Sequence, residues 1–255
     1  MLDLSRWGMM EAEAAASFVV QQKAVAWDGG RAANTAKSGR TISVPIPSPR
    51  EDPVIRAIEE RCAAATGMPI HRDEEPLGVR HTSPSTAAEY DERRCTALHI
   101  DTNQGGIYRC ATVLIYLHDI ERGGETRFPL AGTAEPSELR EAARQLCGYG
   151  ATAFSPDPNV EWPPIGPRRK LLDAAEVEQG QGLHVRPRKG LAAVFWTHTT
   201  EGLDQYSWHA GARLPPECGG GKLIAQKFKS LPVEWRPEPQ RGGGAVKLPK
   251  EFQVH

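Results

Sequence analysis

The chain has 255 residues and a formal net charge of −1. Such a balance supplies no global field to recruit DNA or an anionic membrane. The length suits one large domain, and no apolar run approaches the roughly 18–20 residues that a membrane-spanning helix requires. Five scattered cysteines (Cys62, Cys95, Cys110, Cys147, Cys218), odd in number and without C-x-x-C spacing, argue against a zinc ribbon or a dense disulfide framework.

Residues 9–27 (MMEAEAAASFVVQQKAVAW) are rich in Ala, Glu and Gln and are followed by Gly29-Gly30, which predicts an amphipathic helix on the outside of the core. The first thirty residues carry no basic end followed by an apolar core, so no secretory signal is read. The cytoplasm is the default compartment, and the secretory pathway stays open for a longer chain. Residues 28–50 are polar and rich in Gly and Pro. Asp52-Pro53 then opens VIRAIEERCAAATG, with a start signal at its head and a stop signal at Gly67. This predicts a second helix with Val54, Ile58, Cys62 and Ala65 on one face. Residues 76–81 (PLGVRH) read as a strand, and 82–94 as a polar loop.

In LHID, successive strand side chains alternate faces, so His99 and Asp101 project together while Leu98 and Ile100 point away. An imidazole and a carboxylate so placed are two of the three groups of a 2-His-1-carboxylate set, which holds Fe(II) on one face and leaves positions open. A surface pair is the bland reading of the same dipeptide spacing. Arg109 precedes the apolar strand ATVLIYL, and GGETRFP follows a turn. Residues 130–184 form a long excursion: Pro136-Ser137 starts a short helix ended by Gly148, while 155–167 hold too many Pro and Gly for regular structure. The excursion reads as a flap over a site or as a surface loop. LAAVFW is a continuous apolar run suited to a strand buried on both faces. His198 follows it directly, and EGLDQYSW leads to His209. Lys222 begins KLIAQKF, a last alternating strand, and residues beyond Trp235 have the composition of a tether. Amino-terminal helices followed by many short strands predict an α+β, mainly β fold, a double-stranded β-helix (jelly roll) with helices packed on it. The expected boundaries are 1–50, 51–235 and 236–255.

The ordered motifs HxD (His99, Asp101), R-x-x-T-x-L-x-Y-L from Arg109, GGET-x-FP, P-x-K-G, H-A-G at His209 and a trailing Lys222 resemble the prolyl 4-hydroxylase family of Fe(II)/2-oxoglutarate dioxygenases. The resemblance covers about residues 40–228. It implies Fe(II) held by His99, Asp101 and His209, and 2-oxoglutarate anchored by Lys222 and Thr126. It further implies O2 as oxidant, ascorbate as reductant, and Arg109 against the substrate. The implied reaction is hydroxylation of peptidyl proline at carbon 4, with release of succinate and CO2, on a proline-containing peptide or protein, with no nucleic acid. The same chemistry on a free amino acid or nucleobase, or an inactive jelly-roll binding module, are the alternatives. Each residue keeps a rival. These are His198 for the third ligand, Lys227 for the anchor, an edge-strand role for Lys222 and a nearby acid for Arg109. Trp208, Tyr116 and Phe195 read as core. The chain departs from the family pattern at Thr96, where a Tyr stands three residues before the HxD His; Tyr90 is the nearest substitute. The spacing from His209 to Lys222 is also longer than the family's by a few residues of PPECGGG.

Overall fold

The computed structural model describes residues 41–45 (as backbone), 52–93, 95, 98–102, 109–132, 137–149, 165–176, 182–199 and 202–233. The helix expected over 9–27, the tail and Thr96 lie outside them. Helix α1 (Pro53–Thr66) starts where Asp52 accepts hydrogen bonds from the Val54 and Ile55 amides, and it ends at Gly67 with φ 66°. The carboxylate satisfies two of the amides that a first turn leaves without a partner. Its buried face is Ile55, Ile58, Glu59, Cys62 and Thr66. That is a correction to the expected stripe: Val54 and Ala65 are only half-buried, and a glutamate is carried inward in their place.

The described residues form ten strands: β1 (Thr41–Pro45), ahead of α1, then β2 (Gly78–Thr82), β3 (Arg109–Tyr116), β4 (Thr126–Phe128), β5 (Leu183–Val185), β6 (Ala192–Trp196), β7 (His198–Thr199), β8 (Gly202–Leu203), β9 (Ala210–Gly211) and β10 (Lys222–Ser230). They pair in an antiparallel five-stranded sheet, β1-β2-β10-β3-β6, a three-stranded sheet, β5-β4-β9, and a two-stranded β7-β8 ribbon. Strand β1 falls in the segment read as polar; its Ile42 and Val44 alternate as a strand should. Residue parity divides the large sheet. Val79, Val113, Ile115, Ala192 and Ala225 turn to one side and pack against Ile55, Ile58 and Cys62 of α1. Leu114, Tyr116, Ala193 and Ile224 turn to the other and meet Phe128 and Val185 of the small sheet. The two sheets therefore pack face to face, and the space between them is where a site can form.

The excursion over 130–184 contributes two helices, α2 (Ser137–Tyr149) and α3 (Ile165–Glu176). Leu139, Ala143 and Leu146 of α2, with Leu171, Ala174 and Ala175 of α3, join one core cluster with Leu98, Ile100 and Trp208. This packing replaces the expected flap or surface loop, so far as these residues are described. Helix α2 runs past Gly148, and α3 begins inside the stretch judged too rich in breakers. Pro167 sits in its first turn, where a missing N–H breaks no helical bond. The expectation for LAAVFW also needs correction. Only Ala192 and Ala193 are buried, because β6 is the edge of its sheet and borders a cavity. No disulfide links the five cysteines.

Strand β10 is central and buried on both faces. Toward α1 it carries Lys227 and Lys229, 2% and 0% exposed, which only paired charges permit. Lys227 Nζ lies 2.9 Å from Glu59 Oε1 and 3.2 Å from Glu74 Oε2, and Lys229 Nζ lies 2.5 Å from Glu74 Oε1. The pairing of Glu59 with Lys227 thus accounts for a glutamate on the buried face of α1. Breaking a buried pair by deleting one partner costs about 3–5 kcal/mol. Glu74→Ala is expected to lower the unfolding free energy by about that amount, read as a lower urea midpoint at unchanged slope. A midpoint equal to the wild type's would show the network to be dispensable.

Candidate metal centre

His99 and His209 form an isolated antiparallel bridge, rather than the longer strand expected at LHID. Each donates its amide to the other's carbonyl at 2.9 Å. Residues that exchange both bonds stand directly opposite and project on one face, and the two ring centroids are 4.3 Å apart. Asp101, two residues on, shares that face. Its Oδ1 is 3.1 Å from His99 Nε2 and its Oδ2 is 3.5 Å from His209 Nε2. The ligand atoms of the three residues all fall within 4.8 Å of one another. Bonds of about 2.1 Å set at right angles place neighbouring ligand atoms about 3 Å apart, so the spacing fits one corner of a divalent ion's coordination shell.

The protonation states also fit. His209 Nδ1 lies 2.9 Å from the Ser207 carbonyl oxygen, which only accepts, so the ring proton sits on Nδ1 and Nε2 presents its lone pair to Asp101. Burial, with the neighbouring His99, pushes the His209 imidazole down to about 4, which keeps it neutral at physiological pH. Burial alone would raise the Asp101 carboxyl. The facing imidazoles and the Thr112 hydroxyl, which donates to Oδ2 at 2.9 Å, outweigh it and hold the group below the usual carboxylate range. Two imidazoles, that of His209 neutral, and a carboxylate suit a borderline first-row ion such as Fe(II).

His198 is not in this group. Its Nδ1 is 2.8 Å from Thr197 Oγ1, whose own proton goes to the Arg109 carbonyl. Lys222 lies on the inner face of β10, with Ile224, Gln226 and Phe228; Lys227 lies on the opposite face, in the ion network. Since β10 is the central strand, Lys222 is no edge lysine. Its Nζ donates to the Gly124 carbonyl at 3.0 Å. The Gly123-Gly124 turn that offers this oxygen has φ of 76° and 71°, and a Cβ on Gly124 would stand 2.8 Å from Leu214. Burial, followed by the charge of Arg80, pushes the Lys222 ammonium down to about 8. Thr126 is buried nearby on β4, and its Oγ1 accepts from the Tyr116 hydroxyl at 2.7 Å. Arg109 is held by an acid, Glu75, through two parallel bonds of 2.5 Å, with its guanidinium over the Phe228 ring. Tyr90 stands under Arg122.

Thr112, Gln226, Arg80 and the hydroxyl of Tyr116 are further polar groups on the inner face to which the sequence motifs assign no role. Their signal is parity: each falls on the inner face once the strand register is known. Beside His209, Phe128 and Phe195 contact its ring and line a cavity of about 240 Å³, walled further by Leu183, Val185 and Ala193, with Asp204 and Tyr206 also in its lining.

No family model matches the chain. It is 29% identical over 199 residues to "Probable prolyl 4-hydroxylase 10" of Arabidopsis thaliana, covering 76% of this chain and 55% of that one. With "Prolyl 4-hydroxylase 2" of the same plant it shares 27% over 212 residues, covering 82% and 58%. Its curated homologues are prolyl 4-hydroxylases. The chain spans about half the length of these prolyl 4-hydroxylases. Among solved structures, a Pseudomonas putida prolyl-4-hydroxylase aligns with a TM-score of 0.46 at 12% identity over 91% of both chains. HygX from Streptomyces hygroscopicus, solved with nickel and 2-oxoglutarate bound, aligns with a TM-score of 0.43 at 15% identity over 94% of this chain and 88% of that one.

Purified protein is expected to take up one Co(II) per chain. Asp101→Ala and His209→Ala should each abolish that uptake, while His198→Ala leaves it intact. Equilibrium dialysis checks this, and full binding by His209→Ala would remove His209 from the ligand set.

Proposed function

We propose that this protein is an Fe(II)- and 2-oxoglutarate-dependent dioxygenase that hydroxylates peptidyl proline at carbon 4, its facing sheets being the halves of a double-stranded β-helix. The observation that carries the reading is the convergence of His99, Asp101 and His209, with His209 in the tautomer that leaves Nε2 bare. Iron with 2-oxoglutarate and O2 supplies the oxidation, releasing succinate and CO2, with ascorbate as reductant. The chain's own contribution is to hold, orient and keep dry. His99, Asp101 and His209 hold the ion. Lys222 is the point charge for the far carboxylate of 2-oxoglutarate, and Thr126, with the Tyr116 hydroxyl bonded to it, supplies polar contacts beside that charge. Gln226, which contacts Asp101, and Lys222 are four residues apart on β10, about 13 Å of strand.

Proline-containing peptide is the substrate this reading favours, supported by homology to prolyl 4-hydroxylases and by the apolar walls of the cavity beside His209. A polyproline II segment is already extended and loses little entropy on docking. Arg109 is the candidate for the peptide carbonyl. Glu75 occupies its Nε and Nη2 and fixes the fork, which leaves Nη1 to donate.

Succinate release and a +16 Da proline, followed by mass spectrometry on a proline-rich peptide panel, test the activity. Succinate release with a small molecule and no modified peptide would overturn the prolyl reading and leave the oxygenase standing. Lys222→Ala should weaken 2-oxoglutarate by about 2–5 kcal/mol, a rise in KM of at least roughly thirtyfold, with Co(II) binding intact. The charge on Lys222 also predicts a pH profile. Its ammonium, near 8 without ligand, loses its proton as pH rises, so the KM for 2-oxoglutarate should climb about tenfold per pH unit above that point. Lys222→Arg should move the climb to higher pH. A flat KM between pH 7 and 9.5 in the wild type would take the Lys222 charge out of co-substrate binding.

A further inference from the structure

Arg80 stands on β2 opposite Ile224. Its neighbour Val79 packs toward α1, so Arg80 turns inward. Arg80 is half-buried, so its guanidinium gives up part of its hydration, yet among the described residues no carboxylate lies within ion-pair distance of it. Its hydrogen-bond partner is a neutral amide: Nη1 donates to Gln226 Oε1 at 3.0 Å. Because a guanidinium only donates, this bond decides which end of the amide is which. The oxygen must face Arg80, so Gln226 Nε2 faces Asp101 Oδ2, at 3.4 Å. A reversed amide would set an oxygen against the carboxylate and N–H groups against the guanidinium, two mismatches at once. With Thr112 on the same oxygen, two donors hold Oδ2 from the sheet, and Oδ1 is left beside His99 Nε2.

We infer that Arg80 is a positioning residue for Asp101, acting through the side-chain amide of Gln226 and touching neither metal nor substrate. The inference rests on the metal centre proposed above. Two physical effects of Arg80 on a bound cation have opposite signs, and that makes the inference testable. Its positive charge repels the ion, so deleting the charge alone would tighten binding. Its hold on Gln226 orients a ligand, so losing that hold loosens binding, by about 10–100-fold for partners of this kind.

The test is titration of the protein with Co(II) alone, read by calorimetry and by the visible d–d spectrum, which reports ligand geometry. Arg80→Met should weaken Co(II) at least tenfold and alter the spectrum. Arg80→Lys, which keeps one donor, should recover most of both. In a Gln226→Leu background, Arg80→Met should weaken binding no further, since the route is already cut. Unchanged or tighter binding by Arg80→Met, or an equal loss in both backgrounds, overturns the inference. Should Arg80→Met fail to fold, Gln226→Leu decides alone: wild-type affinity and spectrum would remove the amide from the route. A wild-type protein that takes up no Co(II) defeats the metal centre itself, whereas uptake insensitive to Arg80→Met defeats only this inference.

Discussion

The reciprocal pair of backbone hydrogen bonds between His99 and His209 is the constraint on which the rest depends. It joins segments far apart in sequence and, in the same act, sets two imidazoles side by side. The alternation of each segment then does two things. Leu98, Ile100, Trp208 and Ala210 point backward into a core closed by α2 and α3, while His99, Asp101 and His209 point forward. Burying a large aliphatic or aromatic side chain contributes about 1.5–3 kcal/mol, so the apolar faces hold these short segments although neither is part of a long ladder. Helices α2 and α3 therefore act as backing for the candidate metal site.

Much of this was legible in the chain. The alternation of LHID separates ligand from core without any structure, and the Asp-Pro start and Gly stop of α1 are local chemistry. What escaped depends on partners distant in sequence. Glu59, Lys227 and Lys229 carry charge, and charge by itself reads as solvent-exposed; they are buried because they find one another and Glu74 across three segments. Arg80, Thr112 and Gln226 look like ordinary strand residues until the register puts them on Asp101's side of the sheet. Helix α3 was hidden by a proline that its first turn tolerates.

The buried ion network also reaches toward the site. Lys227 Nζ donates to the Glu75 carbonyl at 2.8 Å as well as pairing with Glu59. The backbone of Glu75 is thereby fixed, and its carboxylate clamps Arg109 over the Phe228 ring. A planar fork held at two points loses little entropy when it makes a third contact. Charge buried on the helix side of β10 in this way stiffens Arg109.

One strand thus answers to two demands, and side-chain period makes the arrangement intolerant of slippage. A one-residue shift of β10 would turn Lys227 and Lys229 toward His99, Asp101 and His209 and send Lys222 and Gln226 against α1. Pairing with β2 on one side and β3 on the other holds the register. Length can vary just upstream instead. Residues 215–221 fold into two successive turns, with Cys218 bonded back to Pro215 and Gly221 to Cys218. Additional residues there lengthen a surface loop and leave every strand position facing as before. Insertions are thus tolerated before Lys222 and disruptive after it, so strand parity, and not the distance from His209, decides which lysine of this strand faces the site.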